Sequence, residues 1–580
     1  MNMNSNHRKH ADAEQNLLGL AVTALLLGAV INNDIRAQPF PATIELDQLT
    51  GSNGFRIDGV STFDRSGRAV AGAGDINGDG IDDLLIGAYY ADPNDLSNAG
   101  SSFVVFGRNT AAVGEFSRSL ALSSLNGSNG FRLDGPAPDY HSGITLAGAG
   151  DINGDGTADL IIGAPLGDPN GKRYAGISYV VFGRDTTFPP FPANFPLNNL
   201  TGNNGFRLTG VSDYDHSGIS VAAAGDINGD GIDDLIIGAY GASYNRGSSY
   251  VMFGRHPSST TSFPATVGLG SFNGSNGFRI DGESPGDQSG RSVSAAGDIN
   301  GDGIDDLIVG APLDDPNNIN NAGSSYVIFG RNTTGGNAFP PNLAVSILDG
   351  IIGFRLDGTS EGDDSGRSVA AAGDVNGDGI DDFIVGAGEA NTNSNVYAGA
   401  IYVVFGRNTD NAETFPAILA LEDLDGNNGF RVDGEAANDF FGRSVSTAGD
   451  VNGDGLADLI VDAAGHDPND KNDAGSSYVI FGRKTGKGDL FPPILTLDTL
   501  NGRNGFRLNG VNEGDQSGVS VAAAGDINGD GLDDMIVGAS IASPIGTIWG
   551  GSSYVIFGRS DIVFVDDFEQ QSLANPDFLD

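Results

Sequence analysis

Asp75-Ile76-Asn77-Gly78-Asp79-Gly80-Ile81-Asp82-Asp83 is the stretch on which the reading of this chain turns. The same pattern, Asp-x-Asn-Gly-Asp-Gly-x-x-Asp, begins again at Asp151, Asp226, Asp298, Asp374, Asp450 and Asp526, which makes seven copies spaced by 76, 75, 72, 76, 76 and 76 residues. A near-constant period of this length marks one supersecondary unit repeated along the chain, and it overrides the domain count that 580 residues would otherwise suggest.

Each copy sits between two apolar runs. In the third unit Ser217 to Gly225 is small and apolar, and Leu235-Ile236-Ile237-Gly238-Ala239 follows the loop. A third run, Ser248 to Phe253, alternates aromatic and β-branched residues, and Gly277-Phe278-Arg279-Ile280-Asp281 supplies a fourth. No unit contains a useful helical period, so four short antiparallel strands per repeat is the economical reading. Runs such as Ala222-Ala223-Ala224 and Ala370-Ala371-Ala372 suit strands that converge on a crowded axis. The expected fold is all-β: a seven-bladed β-propeller of four-stranded antiparallel blades.

Gly-Phe-Arg occurs seven times, first at Gly54 and last at Gly505, and Phe-Gly-Arg seven times, first at Phe106 and last at Phe557. One Gly-Phe-Arg precedes the first acidic loop and none follows the last Phe-Gly-Arg, so the chain is permuted relative to the blade. The N-terminal strand near Gly54 is expected to complete the last blade and close the ring. The Phe-Gly-Arg arginines read as partners of blade carboxylates.

Carboxylates at alternate positions of a tight loop, with a backbone carbonyl at the seventh, match the oxygen preference of calcium. The ligands expected in the first loop are Asp75, Asn77, Asp79, the Ile81 carbonyl and Asp83. The next three loops offer Asp151, Asn153, Asp155, Thr157 and Asp159; Asp226, Asn228, Asp230, Ile232 and Asp234; and Asp298, Asn300, Asp302, Ile304 and Asp306. The last three offer Asp374, Asn376, Asp378, Ile380 and Asp382; Asp450, Asn452, Asp454, Leu456 and Asp458; and Asp526, Asn528, Asp530, Leu532 and Asp534. An EF-hand would need a Glu at position 12, where these loops carry Ile86, Ile162, Ile237, Val309, Val385, Val461 and Val537. Up to seven structural Ca2+ ions are expected, and they would bring the formal charge from -45 to -31.

These motifs carry a resemblance. The order Phe-Gly, then Asp-x-Asn-x-Asp-Gly-x-x-Asp, then Gly-Ala-Pro (Gly163-Ala164-Pro165, Gly310-Ala311-Pro312) resembles the FG-GAP repeat of integrin α-chain propellers over roughly residues 43 to 559. The first Phe-Gly survives only at Phe441-Gly442, other units having Ser-Gly as at Ser66-Gly67, and Val461-Asp462-Ala463 departs from Gly-Ala. The resemblance implies a seven-bladed propeller with calcium in the hairpin between the first two strands of a blade. It is not expected to bring integrin legs or a membrane span with it.

Charge and composition narrow the rest. A net -45 with 30 Lys and Arg makes nucleic acid an improbable partner. The absence of cysteine removes disulfides, thiolate zinc sites and cysteine nucleophiles. Leu17 to Ile31 behind His7-Arg8-Lys9-His10 has signal-peptide length, too short to span a bilayer, so the expected organisation is a signal peptide over 1–37, a propeller over 38–559 and a tail over 560–580. An uncleaved N-terminal anchor is the alternative. Asp215-His216-Ser217 invites a triad reading, but a triad needs convergence from separate segments, and no catalytic residue or enzyme activity is expected.

The connections between second and third strands should emerge opposite the acidic loops, and they vary most between units. The expected function is therefore an exported or cell-surface recognition module, monomeric, adhering to an extracellular protein or glycan through that face. The alternatives are a propeller accessory to a phospholipase D-like or polysaccharide-acting hydrolase, and a passive envelope scaffold.

Overall fold

A computed structural model describes residues 40–560 apart from 186–187, 257–261, 410–413, 487–489 and 545. The expected signal peptide and all but the first residue of the expected tail lie outside the described residues. Phe40–Arg559 forms one unit of seven sheets.

Blade 1 shows the plan. Its innermost strand Ala69–Gly74 leads into the first acidic loop, and Asp83–Ala88, Ser101–Val105 and Gly130–Asp134 follow outward in antiparallel pairing. The second strand of every blade is buried along its whole length, as expected for an apolar run covered on both faces. The seven hydrophobic clusters each combine residues of two adjacent blades: Ile308 and Val327 of blade 4 pack with Phe383 and Val385 of blade 5, for example. The core is thus a set of seams between blades.

The four-stranded expectation needs one correction. Each sheet carries a fifth, three-residue strand, parallel to the fourth and donated by the next blade. Asn194–Pro196, from the linker between the third and fourth strands of blade 2, lies on Gly130–Asp134 of blade 1 with Phe195 opposite Leu133. Three residues are too few to show a period, which is why pattern alone did not reveal them.

Ring closure follows the permutation and is doubled by this strap. Gly54–Asp58 completes blade 7 antiparallel to Ser552–Ile556, and Thr43–Glu45 adds the parallel strap to Gly505–Asn509 of blade 6. The N-terminal segment therefore ties two blades at once.

Backbone approach between blades explains the recurrent Gly-Ala ending the second strand. A Cβ on Gly87 would stand 2.0 Å from the carbonyl oxygen of Gly143 in the next blade. Blade 6 carries Asp462 there instead, fully buried, and its Oδ1 takes the backbone N–H of Ser444 at 2.7 Å.

Candidate metal centres and the opposite face

The acidic loops join the innermost strand to the second strand and share one internal geometry. In the first, Asp75 Oδ1 accepts from the Asp79 N–H at 3.0 Å and Oδ2 from the Gly80 N–H at 2.7 Å, while Asp79 Oδ1 accepts from the Ile81 N–H at 3.1 Å. The same contacts recur around Asp151, Asp226, Asp298, Asp374, Asp450 and Asp526. Gly78 and Gly80, at φ of 71° and 87°, allow the turn that L residues resist.

The ninth position behaves differently. Asp83, Asp159, Asp234, Asp306, Asp382, Asp458 and Asp534 are all fully buried. Each accepts the N–H of the glycine in the blade's own Phe-Gly-Arg, at 2.8–2.9 Å. The amide of the position-3 asparagine also donates to it, as Asn77 does to Asp83 at 3.0 Å. Burial, opposed by the glycine N–H, pushes Asp234 and Asp534 up to about 8 and drives Asp83, Asp159, Asp306, Asp382 and Asp458 well above the carboxylate range. Repulsion from the position-1 and position-5 aspartates adds to the shift. No cationic side chain forms a salt bridge with any of them among the described residues.

Among the described residues the carboxylates of a loop do not converge on a common point; each is oriented by amide donors. The residues nonetheless fit a hard cation. The donor set is oxygen throughout, the buried Oδ1 atoms of Asn300 and Asn376 have no hydrogen-bond partner, and a buried carboxylate with like charges beside it would be relieved by a divalent ion. Asp, Asn, Asp, the position-7 carbonyl and Asp would hold that ion in each loop, and its contribution would be charge neutralisation.

Position 8, which motif reading passes over, links the loops. Asp233 Oδ2 accepts the Asp151 N–H of the preceding blade at 2.7 Å, and Asp305, Asp381, Asp533 and Asp82 do the same for Asp226, Asp298, Asp450 and Asp526. Blades 2 and 6 carry Ala158 and Ala457 there, whose own N–H groups bond to the Asp75 and Asp374 carbonyls at 3.3 and 3.1 Å. The signal was visible as five aspartates in register, without indicating their partner.

Each Phe-Gly-Arg arginine has an aromatic partner, beside the carboxylate pairing expected of it. Each guanidinium lies over a phenyl ring three residues ahead of a strap: Arg108 on Phe116, Arg184 on Phe191, Arg255 on Phe263, Arg331 on Phe339, Arg407 on Phe415, Arg483 on Phe491 and Arg559 on Phe40, at 4.1–4.5 Å. Those rings in turn stack on the phenylalanine of Gly-Phe-Arg, as Phe191 does on Phe131 at 4.1 Å. The Gly-Phe-Arg arginines pair with carboxylates, Arg56, Arg132, Arg279, Arg355 and Arg431 being bonded to Asp58, Asp134, Asp281, Asp357 and Asp433 at 2.5–2.7 Å. A recurrent Phe-Pro, as at Phe191-Pro192 and Phe263-Pro264, was the available sign of the strap.

The connections between second and third strands emerge opposite the acidic loops, as the meander requires. Asp92, Asp168, Asp315 and Asp467 cap their turns by accepting the backbone N–H six residues on, each at 2.7 Å. Phe63, Tyr214, Tyr244, Tyr397 and Trp549 stand exposed on this side. Asp215, His216 and Ser217 form no hydrogen bond to one another among the described residues. His216 stacks on Tyr240 at 5.3 Å, and Asp215 accepts the Ser212 N–H at 2.7 Å.

Comparison with known proteins accords with this geometry. The family profile described as FG-GAP repeat matches residues 66–105, 142–181, 217–252, 289–328, 365–404, 441–480 and 517–556. The chain is similar to Integrin alpha pat-2 of Caenorhabditis elegans, 30% identical over 259 residues, or 42% of this chain and 17% of that protein. It is similar to Integrin alpha-IIb of Mus musculus, 31% identical over 189 residues, or 32% of this chain and 16% of that protein. Phosphatidylinositol-glycan-specific phospholipase D of Homo sapiens is 28% identical over 168 residues, 28% of this chain and 18% of that protein. The matches therefore span less than a fifth of each of these three relatives.

Proposed function

Because this chain is a seven-bladed FG-GAP repeat propeller resembling the integrin α chain, we propose that it is an exported calcium-binding recognition module. Calcium would fill up to seven structural sites, and a protein or glycan ligand would bind the face opposite them. The observation that carries the calcium reading is the buried position-9 aspartate, without a salt-bridge partner among the described residues and repeated in every blade. Such a carboxylate is costly to hold charged unless a cation is near. The loops also hydrogen-bond across blade seams, so an ion there would stiffen the ring and not one hairpin alone.

Recognition is assigned to the other face because that is where the blades differ. The exposed aromatics Phe63, Tyr214, Tyr244, Tyr397 and Trp549 are the residue types that anchor interfaces. Export through a signal over residues 1–37 belongs to this reading, and no helix of the described residues is long and apolar enough to cross a membrane. A protein and glycan array probed in calcium and in chelator tests it: capture should require calcium and should weaken in Tyr244→Ser or Trp549→Ser. Capture abolished by changes on the acidic-loop face alone, with these two variants unaffected, would overturn the assignment.

Similarity to a protein named as a phospholipase D favours a second reading, a propeller serving a hydrolase. Turnover by the purified chain on phospholipid or polysaccharide panels, lost on substitution of one residue, would establish it.

A further inference from the structure

The axis of the ring opens on the variable face into a cavity of about 510 Å³, lined by the residues that begin the innermost strands. The position immediately before those strands is Arg68 in blade 1 and Arg291 and Arg367 in blades 4 and 5, and Arg443 holds the equivalent register in blade 6, whose strand begins one residue later at Val445. Blades 2, 3 and 7 place Ile144, Ile219 and Val519 in the same register. A chain with 75 acidic and 30 basic residues thus gathers four guanidiniums at one opening.

Three of the four are not ion-paired among the described residues. Arg443 pairs with Glu389 at 2.5 Å. Among the described residues Arg68, Arg291 and Arg367 make no salt bridge and donate no side-chain hydrogen bond, although carboxylates are abundant elsewhere. The acidic groups near them are Asp462, buried behind Arg68 and Arg443, and Asp364, close to Arg367 and Arg443. Asp473 also lines the cavity, while Tyr89 and Tyr240 flank Arg68 and Arg291. Arg68 remains open to water although protein surrounds it, as a side chain inside a channel does. Burial first, and then the neighbouring Arg367, hold the Arg68 and Arg291 guanidiniums below their usual value. Guanidinium stays charged in proteins, so the mutual repulsion is a standing cost that an anion would remove. Low-dielectric walls focus such a field, and planar forked donors match tetrahedral oxyanions.

We propose that this channel mouth is an oxyanion site, in which Arg68, Arg291 and Arg367 hold a sulfate-type group borne by the ligand. The inference rests on the assignment of recognition to this face. The acidic surroundings select a small terminal group over a long polyanion.

Calorimetric titration of the full chain in calcium, at ionic strength held constant with chloride, tests the proposal with sodium sulfate and with glucose 6-sulfate. Saturable one-to-one binding of both is expected. Arg68→Gln, Arg291→Gln and Arg367→Gln should each weaken it tenfold or more, and exposed Arg503→Gln should leave it unchanged. Arg68→Gln and Arg367→Gln should also melt no lower than the parent without sulfate, since repulsion is relieved; Arg291→Gln additionally gives up the Tyr240 ring 5.1 Å from its guanidinium, and all three variants should lose the stabilisation that sulfate confers. Absent saturable heat, or binding indifferent to the three arginines, overturns the site. Binding of free sulfate without the sugar-borne group overturns its role in ligand recognition. If array ligands bind the parent and the Arg291→Gln/Arg367→Gln variant equally, recognition on this face stands and the oxyanion site falls. Sulfate binding with a blank array leaves the site and removes the recognition reading.

Discussion

Phe40 is the residue through which ring closure can be measured. It is buried, stacked on Phe506 at 4.4 Å, tilted against Phe481 at 5.8 Å and covered by the Arg559 guanidinium at 4.3 Å. Phe263 occupies the same place in the seam of blades 2 and 3, against Phe206 at 4.9 Å, Phe182 at 5.4 Å and Arg255 at 4.5 Å. Replacing either with Ala should cost about 3–5 kcal/mol from lost transfer energy and cavity formation. The stacked pair accounts for about 0.5–1.5 kcal/mol of it. The two sites differ in what they hold. Phe263 lies inside a continuous chain, whereas Phe40 precedes Thr43–Glu45 and Gly54–Asp58, which join the first residues of the ring to blades 6 and 7. A loss of about 3 kcal/mol at Phe40 should therefore raise the exchange rate of the Gly54–Asp58 amides on the order of 100-fold. Phe263→Ala should leave that strand protected. Hydrogen exchange read by mass spectrometry decides it. Protection of Gly54–Asp58 within about threefold of the parent in Phe40→Ala, or equal opening in Phe263→Ala, would refute closure by the N-terminal segment.

Asp462→Gly restores the residue type of the other six blades and should stabilise the protein by about 0.5–2 kcal/mol. Burial raises the Asp462 carboxyl to about 7, so the folded state binds the proton more tightly than the unfolded state and stability falls as pH rises from about 4 to 7. The gain in melts should consequently be larger at pH 8 than at pH 5, and the reverse order would rule out the buried charge as its cause. The same sign applies to the seven position-9 aspartates: in resin-treated, calcium-free buffer the melting temperature should drop between pH 5 and pH 8, and added calcium should abolish the drop. Asp233→Ala removes one clasp between blades and should cost about 1–3 kcal/mol, less if Ala158-type bonding replaces it, while leaving calcium stoichiometry unchanged because position 8 lies outside the proposed ligand set. A stoichiometry reduced by one would make position 8 part of the metal site.

Much of the architecture was legible because each signal occurred seven times in register. The acidic loop, the four main strands and the permutation at Gly54 are local patterns, and repetition removes the ambiguity that a single short apolar run carries. The strap was not legible: Asn194–Pro196 has no period, and its partner lies in the preceding blade. The aromatic partners of the Phe-Gly-Arg arginines were not legible for a related reason. Coulomb attraction favours carboxylates in the abstract, but Arg184 lies over Phe191, across a contact that only the linker's path creates. The Gly183 N–H to Asp159 bond likewise joins two motifs, Phe-Gly-Arg and the acidic loop, that look independent along the chain. At the channel mouth, Arg68 and Arg291 are more than 200 residues apart, and only the closed ring brings them to one cavity.

The central claim is that calcium in the acidic loops holds the ring together while ligand recognition lies elsewhere. Metal content by mass spectrometry, paired with thermal melts of the same sample in calcium and after chelation, tests it most directly. One ion per loop, close to seven per chain, with a marked fall in melting temperature on chelation that calcium restores, is the predicted result. Fewer than one bound ion per chain, with the same melting temperature in both buffers, would contradict it.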